Sequence, residues 1–159
     1  MRHLISMLLQ NEAGALARVA GLFASRGYNI ESLTVAATQD VDASRLTLVV
    51  FGDDAVVEQI VKQSAKLVDV IEIADVSGSD HVERELLVAR TDAGGEAVDA
   101  CLSRFGGRLL HRSAGQSVVE YTGCARDVDA FLIALRLSGH ILDHARSGIA
   151  TIAQPLVAA

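Results

Sequence analysis

The chain has 159 residues, half of them hydrophobic but only 4% aromatic, with a single proline. That is room for one ordinary domain or two small ones with an aliphatic core of Val, Leu, Ile and Ala, and it excludes a disordered chain. Twenty acidic against 14 basic residues give a net charge of −6 with no basic run, which argues against a nucleic-acid partner.

No apolar run approaches the roughly 20 residues of a membrane-spanning helix, so no membrane span is expected. The N-terminus lacks a secretory pattern. Cys101 and Cys124 form no C-x-x-C pair. Two buried, reduced thiols in a cytoplasmic protein are the expectation.

Residues 2–10 are apolar nearly throughout, as in a strand covered on both faces. Leu16, Val19, Ala20 and Phe23 then fall at i, i+3, i+4 and i+7, one face of a helix, and Gly27 stands where it would stop. Residues 29–37 read as a second strand, 38–43 as a polar hairpin loop and 45–51 as a third strand. Gly52-Asp53-Asp54 predicts a capped helix start. Val57, Ile60, Val61 and Leu67 mark that helix, with Glu58 and Lys62 placed for an i,i+4 pair. A fourth strand covers 68–76.

Ser77-Gly78-Ser79-Asp80 is a linker, and after it the order repeats. Strand 82–90 is followed by a helix carrying Val98, Cys101, Leu102 and Phe105 between the Gly pairs at 94–95 and 106–107. Strands 108–113 and 117–122 turn at Ala114-Gly115-Gln116. A helix on Val128, Phe131, Leu132 and Leu135 leads to a strand near 140–145 and a possible short one at 149–153. The fold class is therefore α+β, two ferredoxin-like βαββαβ domains in tandem, each a four-stranded antiparallel sheet with two helices on one face. Because Leu4 and Leu8 alternate with Ile5, Met7 and Leu9, the other face of the first sheet is also apolar. It calls for another domain or a second subunit, and an oligomer is expected.

The pattern is poor in catalytic chemistry. There is no G-x-S-x-G elbow, P-loop or G-x-G-x-x-G. The Gly pairs punctuate a helix. His140 and His144 have the spacing of a helical metal pair, but on a strand they stand about 13 Å apart and cannot share an ion. Asp40 and Asp42 read as a solvated loop.

What remains is the strand-to-helix turn Asn11-Glu12-Ala13-Gly14-Ala15-Leu16. One reading is a short turn that needs glycine for its backbone angles. The other is an anion site, because N–H groups at a helix N-terminus lack partners and the dipole favours negative charge. An amino acid would suit the second reading. The turn, through Gly14 and Ala15, takes the carboxylate, and Asn11 or Asn29 accepts from the ammonium. Leu16 and Ile30 line the apolar end, with Asn29-Ile30 supplied by a second subunit paired side by side.

These residues carry a resemblance. H-L-I-S-M-L-L-Q-N-E-A-G-A-L-A-R-V-A-G-L-F-A-S-R-G-Y-N-I-E-S-L-T-V at 3–35, S-R-L-T-L-V-V at 44–50, K-L-V-D-V at 66–70, H-V-E-R-E-L at 81–86 and A-R-S-G at 145–148 strongly resemble the small regulatory subunits of acetolactate synthase (acetohydroxyacid synthase). The resemblance implies an ACT domain over 1–77 that binds valine at a homodimer interface, and the family's ferredoxin-like C-terminal domain over 81–159. It also implies a subunit without catalytic activity of its own. Such a subunit activates the large catalytic subunit and confers valine feedback inhibition in branched-chain (valine, leucine, isoleucine) biosynthesis. Thiamine diphosphate, magnesium and FAD would belong to the large subunit, leaving no cofactor here. Asn11, Gly14 and Asn29 stand where the family's effector site is expected. The departures are L-V-A-R-T after E-R-E-L and the segment 92–104. The alternative is a free-standing ACT-domain amino-acid sensor, for which a DNA-binding segment would be the sign, and none is visible. A small enzyme on this fold would need a convergent acid–base pair, also not visible.

Overall fold

The apolar run at the N-terminus forms a strand, and from it one strand–helix order is traversed twice; the computed structural model describes residues 1–153. The first pass is β1 (Arg2–Gln10), α1 (Ala15–Ser25), β2 (Ile30–Ala37), β3 (Ala43–Phe51), α2 (Asp54–Ser64) and β4 (Val70–Asp75). The second is β5 (His81–Thr91), α3 (Gly95–Phe105), β6 (Arg108–Ser113), β7 (Gln116–Gly123), α4 (Ala125–Ser138) and β8 (Ile141–Ala153). The sheets are ordered β2-β3-β1-β4 and β6-β7-β5-β8, the same arrangement one repeat later. Tandem ferredoxin-like domains of the α+β class are thus what the chain forms.

By its contacts the chain divides into two compact units. Among the described residues, one is Met1–Val82 together with 149–153, and the other is Glu83–Gly148. The last stretch of β8 therefore serves the first unit. Within it, Ile149 is buried with its N–H 3.4 Å from Ser32 Oγ, and Thr151 Oγ1 donates to the Val82 carbonyl at 3.1 Å.

The first core takes Ile5, Met7 and Leu9 from β1, Leu46, Leu48 and Val50 from β3, Val19 and Phe23 from α1, and Val57 and Ile60 from α2. Each such side chain contributes about 1.5–3 kcal/mol by leaving water. Leu4 and Val49, on the opposite face of the sheet, are also buried within the single chain, so they give no argument for a second subunit there. The second core joins Leu87, Val98, Leu102, Val119 and Val128 to fully buried Phe131, with Phe105 and Tyr121 packed against it. Tyr121 stacks on Phe131 at 4.8 Å, and Phe105 stands edge-on to both.

Gly27 (φ +74) ends α1 as expected, the Tyr28 N–H reaching back to the Phe23 carbonyl at 3.0 Å. Glu58 and Lys62 pair at 2.6 Å. Three details differ from the sequence reading. The segments near 140–145 and 149–153 are one continuous strand, β8, which passes through Gly148 (φ +79) without breaking. α2 stops at Ser64, and Leu67 reaches the core from the loop beyond it. Asp53 holds the N-cap position of α2, yet its side chain makes no capping bond, so the acidic start acts through Asp54 in the first turn.

Candidate functional site

The turn between β1 and α1 is fastened on two sides. The Gln10 N–H donates to the Asp69 carbonyl and the Asn11 N–H to the Asp42 carbonyl, each at 2.8 Å. The Asn11 side chain repeats the second link: Nδ2 donates to the Val41 carbonyl at 2.9 Å, and Oδ1 accepts from Ser44 Oγ at 3.0 Å. The chain then passes through Gly14, the N-cap of α1, at φ +90, a conformation that L side chains rarely adopt.

At the start of α1 the Ala15 N–H turns back to the Glu12 carbonyl at 3.3 Å, and the Arg18 N–H makes a helical bond to the Gly14 carbonyl at 2.9 Å. Between them, the N–H groups of Leu16 and Ala17 meet no acceptor among the described residues. Two such donors at the positive end of an 11-residue helix are what an anion needs.

The guanidinium of Arg18, one turn into α1, lies across this turn. Its Nε and Nη2 clasp the two oxygens of Asp69 at 2.5 and 2.6 Å. Asp69 has its side chain 2% exposed, whereas that of Arg18 is 48% exposed. The bonds from Arg18 hold the Asp69 carboxyl below the ordinary carboxylate range, overcoming the opposing effect of burial. The third nitrogen, Nη1, comes within 2.9 Å of where a Cβ on Gly14 would stand. Neither Arg18 nor Asp69 was singled out from the sequence, although both fall inside the motifs quoted above. No local pattern connects positions 51 apart.

The six expected site residues are not gathered in one place. Asn11, Gly14, Ala15 and Leu16 share the turn. Ala15 is buried and its N–H is taken by Glu12, so it shapes the turn and offers no donor. Leu16 is exposed, as are Val41 and Val68 on the two loops that flank the turn, which gives the site an apolar rim. Asn29 and Ile30 lie at the other end of the sheet. Ile30 pairs with Val50, which pairs with His3 at the start of β1, whereas the turn follows the end of β1, where Leu9 pairs with Ser44. At about 3.3 Å per residue the two groups are roughly 20 Å apart within one chain. Asn29 is exposed, with only a 3.4 Å contact from Nδ2 to Glu31 Oε2, and Ile30 packs half-buried on the first core.

Elsewhere, His144 lies on β8 and His140 just before it, four residues apart along extended chain. His3, given no role from the sequence, is buried, with Nδ1 2.7 Å from Asp75 Oδ2 and Nε2 3.4 Å from Asp54 Oδ1. Both cysteines are free thiols, Cys101 buried and Cys124 only half-buried at the N-cap of α4. No helix of the described residues is long and apolar enough to cross a membrane.

Comparison with known proteins agrees with this architecture. Residues 5–72 match the family model of the AHAS small subunit-like ACT domain, and residues 84–155 that of the small subunit of acetolactate synthase. The chain is 45% identical to the acetolactate synthase isozyme 3 small subunit of Salmonella typhimurium, over 94% of this chain and 93% of that one. It is 40% identical to the acetolactate synthase small subunit of Haemophilus influenzae, over 97% and 96%. Among solved structures it is similar to the acetolactate synthase small subunit of Thermotoga maritima, with a TM-score of 0.86 and 34% identity over 99% of both chains.

Proposed function

The chain belongs to the acetolactate synthase small-subunit family, and from that we propose that it is a non-catalytic regulatory subunit, raising the activity of the thiamine-diphosphate-dependent large subunit and conferring feedback inhibition by valine. The observation that carries the valine reading is the fixed turn at Gly14, with the Leu16 and Ala17 N–H groups unpaired at the start of α1. The cofactors belong to the large subunit, none is assigned to this chain, and the complex works in the cytoplasm.

The separation of the two halves of the site supports a homodimer. β2 is an edge strand, and Val35, Ala36 and Ala37 near its end are exposed. An open apolar edge of this kind recruits another strand. Antiparallel pairing of β2 with its counterpart in a second copy would run the start of one strand past the end of the other. Asn29 and Ile30 of one copy would then stand by the turn of its partner. Each copy would complete the other's site, as a two-fold axis requires.

Inhibition follows by linkage. Valine biases the complex only if it binds the inhibited arrangement more tightly than the active one, and a tenfold difference is about 1.4 kcal/mol of bias. A site split between copies couples ligand binding to the pairing of the ACT domains and through them to the large subunit.

Calorimetric titration of the full chain, alone and with its large subunit, tests the reading. Valine should bind saturably, and leucine and isoleucine more weakly, since one methylene is worth about 1–3 kcal/mol in an apolar pocket. Absence of valine binding in both preparations would leave an activating subunit without a sensor.

A further inference from the structure

We propose that Arg18 reads the carboxylate of the bound amino acid, and that buried Asp69 acts as its positioning residue. The proposal rests on the site reading above and adds a charged group to it.

A guanidinium presents five N–H donors in a planar fork. The edge formed by Nε and Nη2 is taken by Asp69, two bonds in the bidentate geometry that suits a carboxylate. Nη1 is left over, and no acceptor holds it among the described residues. It stands 2.9 Å from the point where a side chain on Gly14 would begin. The bare face of the glycine therefore makes room for the guanidinium. A carboxylate accepting from Leu16 and Ala17 N–H, just beyond Gly14, comes within reach of Nη1.

Burial divides the labour. Asp69 is nearly inaccessible, and its backbone carbonyl also accepts the Gln10 N–H at 2.8 Å, so the acid is fixed to the end of β1. Arg18 is half-exposed. Clasping it in advance removes rotamer freedom that binding would otherwise have to remove.

The test compares valine with valinamide, which lacks the carboxylate, as ligands of the full chain reconstituted with its large subunit. The variants are Arg18→Gln, Arg18→Lys and Asp69→Asn, with melting temperatures recorded alongside. Wild type should bind valine well and valinamide poorly. In Arg18→Gln valine affinity should fall about tenfold or more while valinamide affinity holds, so the discrimination collapses. Arg18→Lys keeps the charge without the fork and should recover part of it. Asp69→Asn should weaken valine less than Arg18→Gln does. A purely structural pair would weaken both ligands alike, and that result overturns the proposal, as does unchanged discrimination in Arg18→Gln. Wild type that binds no valine overturns the site reading itself, before any variant is compared.

Discussion

The Arg18 guanidinium occupies the space that a side chain on Gly14 would need: its Nη1 lies 2.9 Å from the ideal Cβ position. Gly14 is also at φ +90, where an L residue is strained by about 1–2 kcal/mol. Gly14→Ala should thus be mildly destabilising and should loosen valine inhibition. Gly14→Asp adds a carboxylate that repels the ligand's own and competes with Asp69 for Arg18. Valine inhibition should be abolished with the fold and the activation of the large subunit retained. Circular dichroism and valine inhibition curves on the reconstituted complex decide this, and strong residual inhibition in Gly14→Asp would count against the site.

Asn11 and Asn29 should separate by what else they do. The Asn11 side chain joins the turn to the β2–β3 loop at Val41 and to the start of β3 at Ser44, so Asn11→Ala removes scaffold and ligand contact together. A cost of about 1–2 kcal/mol in stability is expected, with lost valine affinity. Asn29 makes only a weak 3.4 Å contact to Glu31, so Asn29→Ala should leave the melting temperature alone and still lower valine affinity. Unchanged affinity would remove Asn29 from the site.

Much of this was legible in the sequence because it is local. The i, i+3, i+4, i+7 spacing in α1, α3 and α4, the glycine stop at Gly27 and the repeat of order depend on neighbours within a few residues. The turn at 11–16 announced itself for the same reason. The Arg18–Asp69 clasp did not, because it closes between α1 and the loop after α2, and periodicity carries no information about which loops meet. The continuity of β8 was hidden by Gly148, which reads as a break but here sits at positive φ inside the strand. Asn29 and Ile30 were grouped with the turn on the strength of a second copy, and one chain alone keeps them at the far end of the sheet.

Acid should loosen the first domain at Asp75. Burial pushes this carboxyl up, but bonds from the Ser77 hydroxyl and N–H and from His3 outweigh it, and the net result is a depressed value. A carboxyl held low in the fold contributes stability above its unfolded value near 4 and loses it as pH falls through the folded value. Melting temperature should therefore decline below about pH 4. Ser77→Ala, which removes one of the bonds, should flatten that decline. A pH profile identical to that of wild type would show that Asp75 is not among the groups responsible.

In the second domain, Glu85 and Arg146 bring together two motifs that the sequence displays 61 residues apart. Glu85 is 4% exposed, and Arg146 grips both its oxygens at 3.0 and 2.5 Å while Nη1 reaches Asp129 at 2.7 Å. Glu85→Ala should cost about 1–3 kcal/mol, because a partly buried guanidinium loses its main acceptor. Valine binding to the full chain should be unaffected, since this pair lies in the other unit from the turn. Denaturant midpoints and calorimetry on one preparation check both halves of the statement.

The split site makes oligomeric state and valine response fall together. Val35 is 41% exposed on the edge strand β2, whose neighbours include no lysine or proline to discourage pairing. Val35→Lys places a charge where a second copy's β2 would lie, while the lysine stem can still cover the apolar surface beneath. Sedimentation should show a shift from dimer to monomer, and valine affinity should drop in step, because the turn of one copy loses Asn29 and Ile30 of the other. Each domain should retain its fold, as Val35 is half-exposed and lies outside both buried cores. A monomeric variant that binds valine as well as wild type would show that one chain holds the whole site. An undisturbed dimer would place the interface on a surface other than the β2 edge.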